Sequence, residues 1–182
     1  TGNVAIGRDA LEANTTANNN TAVGTDALKA NTTGANNTAV GSLSLKANTS
    51  GEANVAIGND GMDSNTTGTN NVAIGVDALQ ANTTADSNVA IGRNALLSNT
   101  TGSSNVAVGS QAGDAVIDGS SGVFIGGAAG TAVTTGSNNV CIGIDSGDTL
   151  TTGNNNILIG NTARPSASGG STQISMGTVV TC

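Results

Sequence analysis

This sequence contains no histidine, tryptophan or tyrosine, a single phenylalanine (Phe124), a single proline (Pro165) and two cysteines. Without imidazole there can be no Ser–His or Cys–His dyad and no imidazole metal site. Without indole or phenol rings there are no stacking platforms for nucleobases. Little is left to wall the apolar pocket that raises the pKa of a catalytic carboxyl. Charge is also scarce, at 9% of residues, where a typical domain carries about a quarter. The 12 acidic and 5 basic residues leave a net charge of -7, the wrong sign for nucleic acid or an anionic membrane surface. No apolar run approaches the ~20 residues that span a bilayer, so no membrane insertion is expected within this segment. Cys141 and Cys182 do not make a disulfide framework. Cys141 sits at the centre of an apolar triplet and reads as a small core residue.

What the sequence has is a period. Gly7, Gly24, Gly41, Gly58, Gly75, Gly92, Gly109, Gly126, Gly143, Gly160 and Gly177 are spaced 17 residues apart without a slip. Each closes a short apolar run such as Val4-Ala5-Ile6 or Ile157-Leu158-Ile159. Low charge with abundant Gly, Asn and Ser resembles the composition of disordered chains, but evenly placed β-branched triplets do not. A fixed period of this length marks a stacked repeat. The repeat is too short for a helix pair and long enough for two short strands and two turns. The fold class expected is all-β: a parallel β-solenoid of about eleven 17-residue coils, roughly 50 Å long at ~4.8 Å per coil. The whole chain, 1–182, reads as one solenoid, with Asn-Thr-Thr coils over 1–104 and variant coils and an exit over 105–182. It begins inside a repeat, so it reads as a piece of a longer or processed polypeptide.

Alternation along the strand puts Val4 and Ile6 on one face and Ala5 on the other. Both faces are apolar, and strands apolar on both sides are buried on both sides. The reading assigns Val4 and Ile6 to the coil interior, with Leu11, Leu28, Leu45, Met62, Leu79 and Leu96 plugging the other half. After Leu96 this plug column becomes glycine, and Val116, Val133 and Leu150 appear three places later. The middle column would then face outward as an interface between copies. It comprises Ala5, Ala22, Ala39, Ala56, Ala73, Ala90 and Ala107, then Phe124, Cys141 and Leu158. So thin a coil has little interior, and thin cores generally need oligomerisation or other staples.

Asn at the strand start, from Asn3 to Asn156, forms a column suited to stacked amide hydrogen bonds. The Asn-Thr pairs Asn14/Thr15, Asn31/Thr32, Asn65/Thr66, Asn82/Thr83 and Asn99/Thr100 have turn chemistry and are expected at exposed corners. They also make N-x-Ser/Thr sequons, as does Asn-Asn-Thr at Asn19 and Asn36. The Asp9, Asp26, Asp60, Asp77 and Asp145 column could be a row of calcium ligands. However, the Gly-Gly-x-Gly-x-Asp nonapeptide of calcium β-rolls is missing, and a turn cap is the plainer reading. No metal or cofactor is expected. The glycine motifs do not lead from a strand into a helix, so they are not phosphate loops.

The Asn-Val-Ala-Ile-Gly-x-x-Ala core at Asn3 to Ala10, Asn71 to Ala78 and Asn88 to Ala95 resembles the YadA-like head β-roll of trimeric autotransporter adhesins. So does its variant at Asn54 to Gly61. The family unit is usually about 14 residues; here the Asn-Thr-Thr-Gly corner is longer. Runs such as Leu150 to Gly160 also resemble bacteriophage tail-fibre repeats. The resemblance implies a left-handed roll, a homotrimer and attachment to a host-cell or other surface, outside the cell or on a virion fibre. The expectation is a non-enzymatic fibre or adhesin segment whose first partner is itself. Two other readings stay open. One is a filament subunit assembling end to end. The other is an ice-binding solenoid using the Thr columns, although adjacent Thr pairs lack the alternating T-x-T pattern.

Overall fold

The structure is a computed structural model and describes residues 2–177; Cys182 lies outside the described residues. Eleven three-residue strands follow one another at the repeat period: β1 (Val4–Ile6), β2 (Thr21–Val23), β3 (Thr38–Val40), β4 (Val55–Ile57), β5 (Val72–Ile74), β6 (Val89–Ile91), β7 (Val106–Val108), β8 (Val123–Ile125), β9 (Val140–Ile142), β10 (Ile157–Ile159) and β11 (Ile174–Met176). They form one parallel sheet in sequence order. Each residue pairs with the residue one period on, as in Ala5 with Ala22 and Ala56 with Ala73. The chain is therefore an all-β parallel solenoid of about ten coils. The described residues contain no α-helix.

β-Branched residues at both ends of the triplets from β1 to β10 favour the extended state, and the following glycine ends it. Gly75, for example, has φ +134, and a Cβ there would lie against the backbone of Gly92 in the next coil. Only glycine combines that backbone angle with so close a stacking.

The rest of the coil corrects the expectation of a second strand. After the glycine the chain runs through turns, because two non-glycine residues take the left-handed conformation. In the second coil these are Asp26 (φ 58) and Leu28 (φ 50). Left-handed residues two apart cannot belong to an extended strand. The turn wall is still bonded coil to coil: Leu28 N–H donates to Ser44 O at 3.0 Å and Ala30 N–H to Lys46 O at 3.0 Å.

The interior also reverses the expected faces. The middle column, from Ala22 to Ala107 and on through Phe124, Cys141 and Leu158, is 0–1% exposed within this single chain. It fills the coil and is no interface; Ala5, in the first coil, points the same way and is exposed. Val4 and Ile6, assigned to the core, are 46% and 60% exposed. The physical reason is volume. The opposite wall already supplies Leu11, Leu28, Leu45, Met62, Leu79 and Leu96, all buried, and this leaves room for one alanine per strand. In the later coils the plugs Val116, Val133 and Leu150 are buried as expected.

Two polar ladders complete the interior. Asn20, Asn37, Asn54, Asn71 and Asn88 are buried, each accepting at Oδ1 from the backbone N–H of the next ladder residue at 2.8–3.0 Å. Each donates from Nδ2 to a carbonyl 14 residues on, as Asn54 does to Gly68 O at 2.8 Å. The second ladder corrects the expected exposed corner. Asn31, Asn65, Asn82 and Asn99 are buried, and Asn14 is half-buried. Asn65 Nδ2 donates to Asn48 Oδ1 at 2.7 Å and to Gly68 O at 3.1 Å. One carbonyl, Gly68 O, thus accepts from both ladders. Burying these amides is tolerable because they are hydrogen-bonded.

Candidate functional site: the outward strand face

Because the middle residue of each triplet points inward, the two flanking residues point out. They form two columns along all eleven strands. The column headed by Val4 is Val or Ile throughout except at Thr21 and Thr38. The column headed by Ile6 is Val or Ile until Met176. Ile57, Ile74, Ile91, Ile125 and Ile159 remain 36–39% exposed even with coils stacked on both sides. One residue beyond the strand-ending glycine, Val76 and Ile144 add further exposed apolar surface. At ~4.8 Å per strand and ~3.3 Å per residue, the face is a strip about 50 Å by 10 Å. That is at the upper end of the apolar patches that monomers leave in water.

The remaining sites from the sequence fall elsewhere. Thr32, Thr66, Thr83 and Thr100 are half-buried and Thr15 exposed. Their hydroxyls are committed to the next coil, as Thr32 Oγ1 is to Thr49 O at 3.0 Å. The freely exposed hydroxyls belong to the following residue, at Thr16, Thr33, Thr67, Thr84 and Thr101.

The Asp column occupies the left-handed position after the glycine, with φ of 54–58 at Asp9, Asp26, Asp60, Asp77 and Asp145. Asp tolerates that backbone well. Its hydrogen bonds run to neighbouring side chains, not to the backbone cap that the sequence suggested: Lys29 to Asp26 at 3.3 Å, Gln80 to Asp77 at 3.4 Å. Among the described residues no group of three or more His, Cys, Asp or Glu is arranged to hold a metal ion.

Among the described residues, two ion-pair groups pin coils together. Lys29 Nζ lies 3.1 Å from Asp9, 3.4 Å from Glu12 and 3.3 Å from Asp26. Hydrogen bonds to Asp9, then Asp26, hold its ammonium above the usual lysine range. Arg164 clamps Asp148 with two hydrogen bonds, at 2.7 and 2.5 Å, which lowers the Asp148 pKa. Cys141 is a free, buried thiol, and burial pushes its pKa up from 9.0 to about 12. A thiol held protonated is a core residue and a poor nucleophile.

The outward Val/Ile face is what the sequence reasoning misassigned. The signal for it was present: Asn20 and Ala22 are two residues apart and share a face, so a ladder asparagine turned inward takes the alanine with it. Among the described residues no helix is long and apolar enough to cross a membrane. Comparison of the chain with protein-family models, curated proteins and solved structures finds no match.

Proposed function

We propose that this chain is a rod segment of a non-enzymatic fibrous protein, associating side by side with two further copies through its outward Val/Ile face. The rod would project from, and attach to, a cell or other surface, as an extracellular or virion fibre. The observation that carries the reading is that unpartnered strip of β-branched side chains. With its flanking residues it approaches the ~800 Å² per partner of a standard interface. A parallel sheet that is apolar on both sides is ordinarily covered on both sides. The motif likeness to YadA-like heads and tail-fibre repeats supports a left-handed roll and three copies. The polar turn wall and the exposed Thr column then face outward. Weak contacts made there would be multiplied by avidity over three chains.

The solution mass tests this directly. Light scattering across a hundredfold dilution is expected to give three times the chain's 17.3 kDa. A folded monomer at every concentration overturns the reading.

A further inference from the structure

We propose that Asn19 and Asn36 are acceptor sites for amide-linked glycosylation, and that the fold closes the other sequons of this chain. Eight asparagines stand in N-x-Ser/Thr sequences: Asn19 and Asn36, and the six of the second ladder, Asn14, Asn31, Asn48, Asn65, Asn82 and Asn99. Five of the six, from Asn31 to Asn99, are 0% exposed. Their Nδ2 groups donate to the carbonyl three residues on, at 2.9–3.2 Å. Asn14 makes the same bond to Ala17 O at 3.3 Å. An amide nitrogen so committed cannot reach a sugar donor while the coil is intact.

Asn19 and Asn36 differ in each respect. They are exposed, and they occupy the left-handed turn residue two places before a strand, with φ 59 and 62. The Asn19 amide makes one long exposed contact, 3.4 Å to Asn36 Oδ1. A second observation points to the same two coils. The hydroxyl residues of these sequons, Thr21 and Thr38, are the two places where the outward column headed by Val4 departs from Val or Ile. Asn70, Asn138 and Asn155 occupy the same turn and are exposed, but Val72, Val140 and Ile157 follow them and no sequon results. The accessible amide and its hydroxyl partner therefore coincide only in the second and third coils. There the apolar face is already interrupted and has least to lose from a sugar beside it.

The donor is a sugar activated through phosphate, carried on a nucleotide or on a lipid. The Asn Nδ2 forms a bond to the anomeric carbon as the bond from that carbon to the phosphate oxygen breaks. The nitrogen gives up one proton to a base of the transferase, and the phosphate carrier leaves.

The test treats the purified folded chain in two arms. One uses a sequon-directed transferase with a nucleotide-activated hexose, and the other an oligosaccharyltransferase with a lipid-linked glycan. Intact mass and peptide mapping follow. Added mass confined to Asn19 and Asn36 in either arm supports the proposal, and the productive arm identifies the carrier. Thr21→Val with Thr38→Val keeps both asparagines and should abolish the added mass, as should Asn19→Gln with Asn36→Gln, with the circular dichroism unchanged. Modification of Asn14, Asn31, Asn48, Asn65, Asn82 or Asn99 in the folded chain overturns it. So does a folded chain left unmodified in both arms while the heat-unfolded chain is modified.

Discussion

The ring of Phe124 occupies the space that a side chain at Gly130 would need. A Cβ on Gly130 would run into ring carbons of Phe124, and one on Gly122 would lie 2.5 Å from Cε2. The N-terminal coils fill this volume differently, with a small strand residue (Ala73) and a large left-handed one (Leu79), both buried. Phe124→Ala alone should cost about 3–5 kcal/mol through the cavity it leaves. Gly130→Leu alone should also destabilise, by overpacking. Together they rebuild the alanine–leucine pair, so a double-mutant cycle in denaturant melts should show a favourable coupling of at least ~2 kcal/mol.

That exchange shows what the sequence made legible and what it hid. The growth of the middle column to Phe124, Cys141 and Leu158 was readable, and so was the retreat of the plug to Gly113, Gly130 and Gly147. Read separately, they looked like a changing interface and a shifted core. Folded, they are one compensation: Gly130 faces Phe124, and Gly147 faces Cys141. The 17-residue period was enough to give the coil and its parallel register. The facing of a triplet apolar on both sides was not fixed by alternation, and only the neighbouring buried Asn20 broke the tie. The turn wall was misread as strand because a left-handed Leu28 (φ 50) contradicts the usual backbone preference of leucine.

The second asparagine ladder stops at Asn99, whose Oδ1 is buried without a partner. The next position is Val116, which has no donor to offer. Val116→Asn should supply one, and its stability cost should stay within about 1 kcal/mol. Val133→Asn has no such acceptor beneath it and should cost about 2 kcal/mol or more. Equal losses at the two sites in thermal or denaturant melts would contradict the ladder account.

Within the first ladder, Asn71 Oδ1 accepts from Asn88 N–H at 2.9 Å and its Nδ2 donates to Ala85 O at 2.8 Å. Asn71→Ala strands a buried amide and should cost about 2–4 kcal/mol. Hydrogen exchange should quicken first at Asn88 and the adjoining strands. Thr84→Ala, on the exposed corner, should change stability by less than about 0.5 kcal/mol.

Cys141 gives the chain an alkaline limit. Its folded pKa is about 12 against an ordinary 9.0, so the unfolded chain loses its thiol proton first. The contribution is fully present below pH 9 and is lost as pH rises from 9 towards 12, at up to ~1.4 kcal/mol per pH unit. Stability measured against pH for the parent and Cys141→Ala should diverge only in that window, the parent falling more steeply. In native buffer the thiol should resist alkylating reagents.

The central claim is that copies of the chain cover the outward Val/Ile face. The most direct measurement is sedimentation equilibrium of the parent beside two single-charge variants of equal net charge: Ile74→Lys on that face and Thr84→Lys on the exposed corner of the same coil. The expected result is a trimer for the parent and for Thr84→Lys, and a folded or partly folded species of lower mass for Ile74→Lys. An oligomer unaffected by Ile74→Lys, or a parent chain that sediments as a stable folded monomer, would contradict the account.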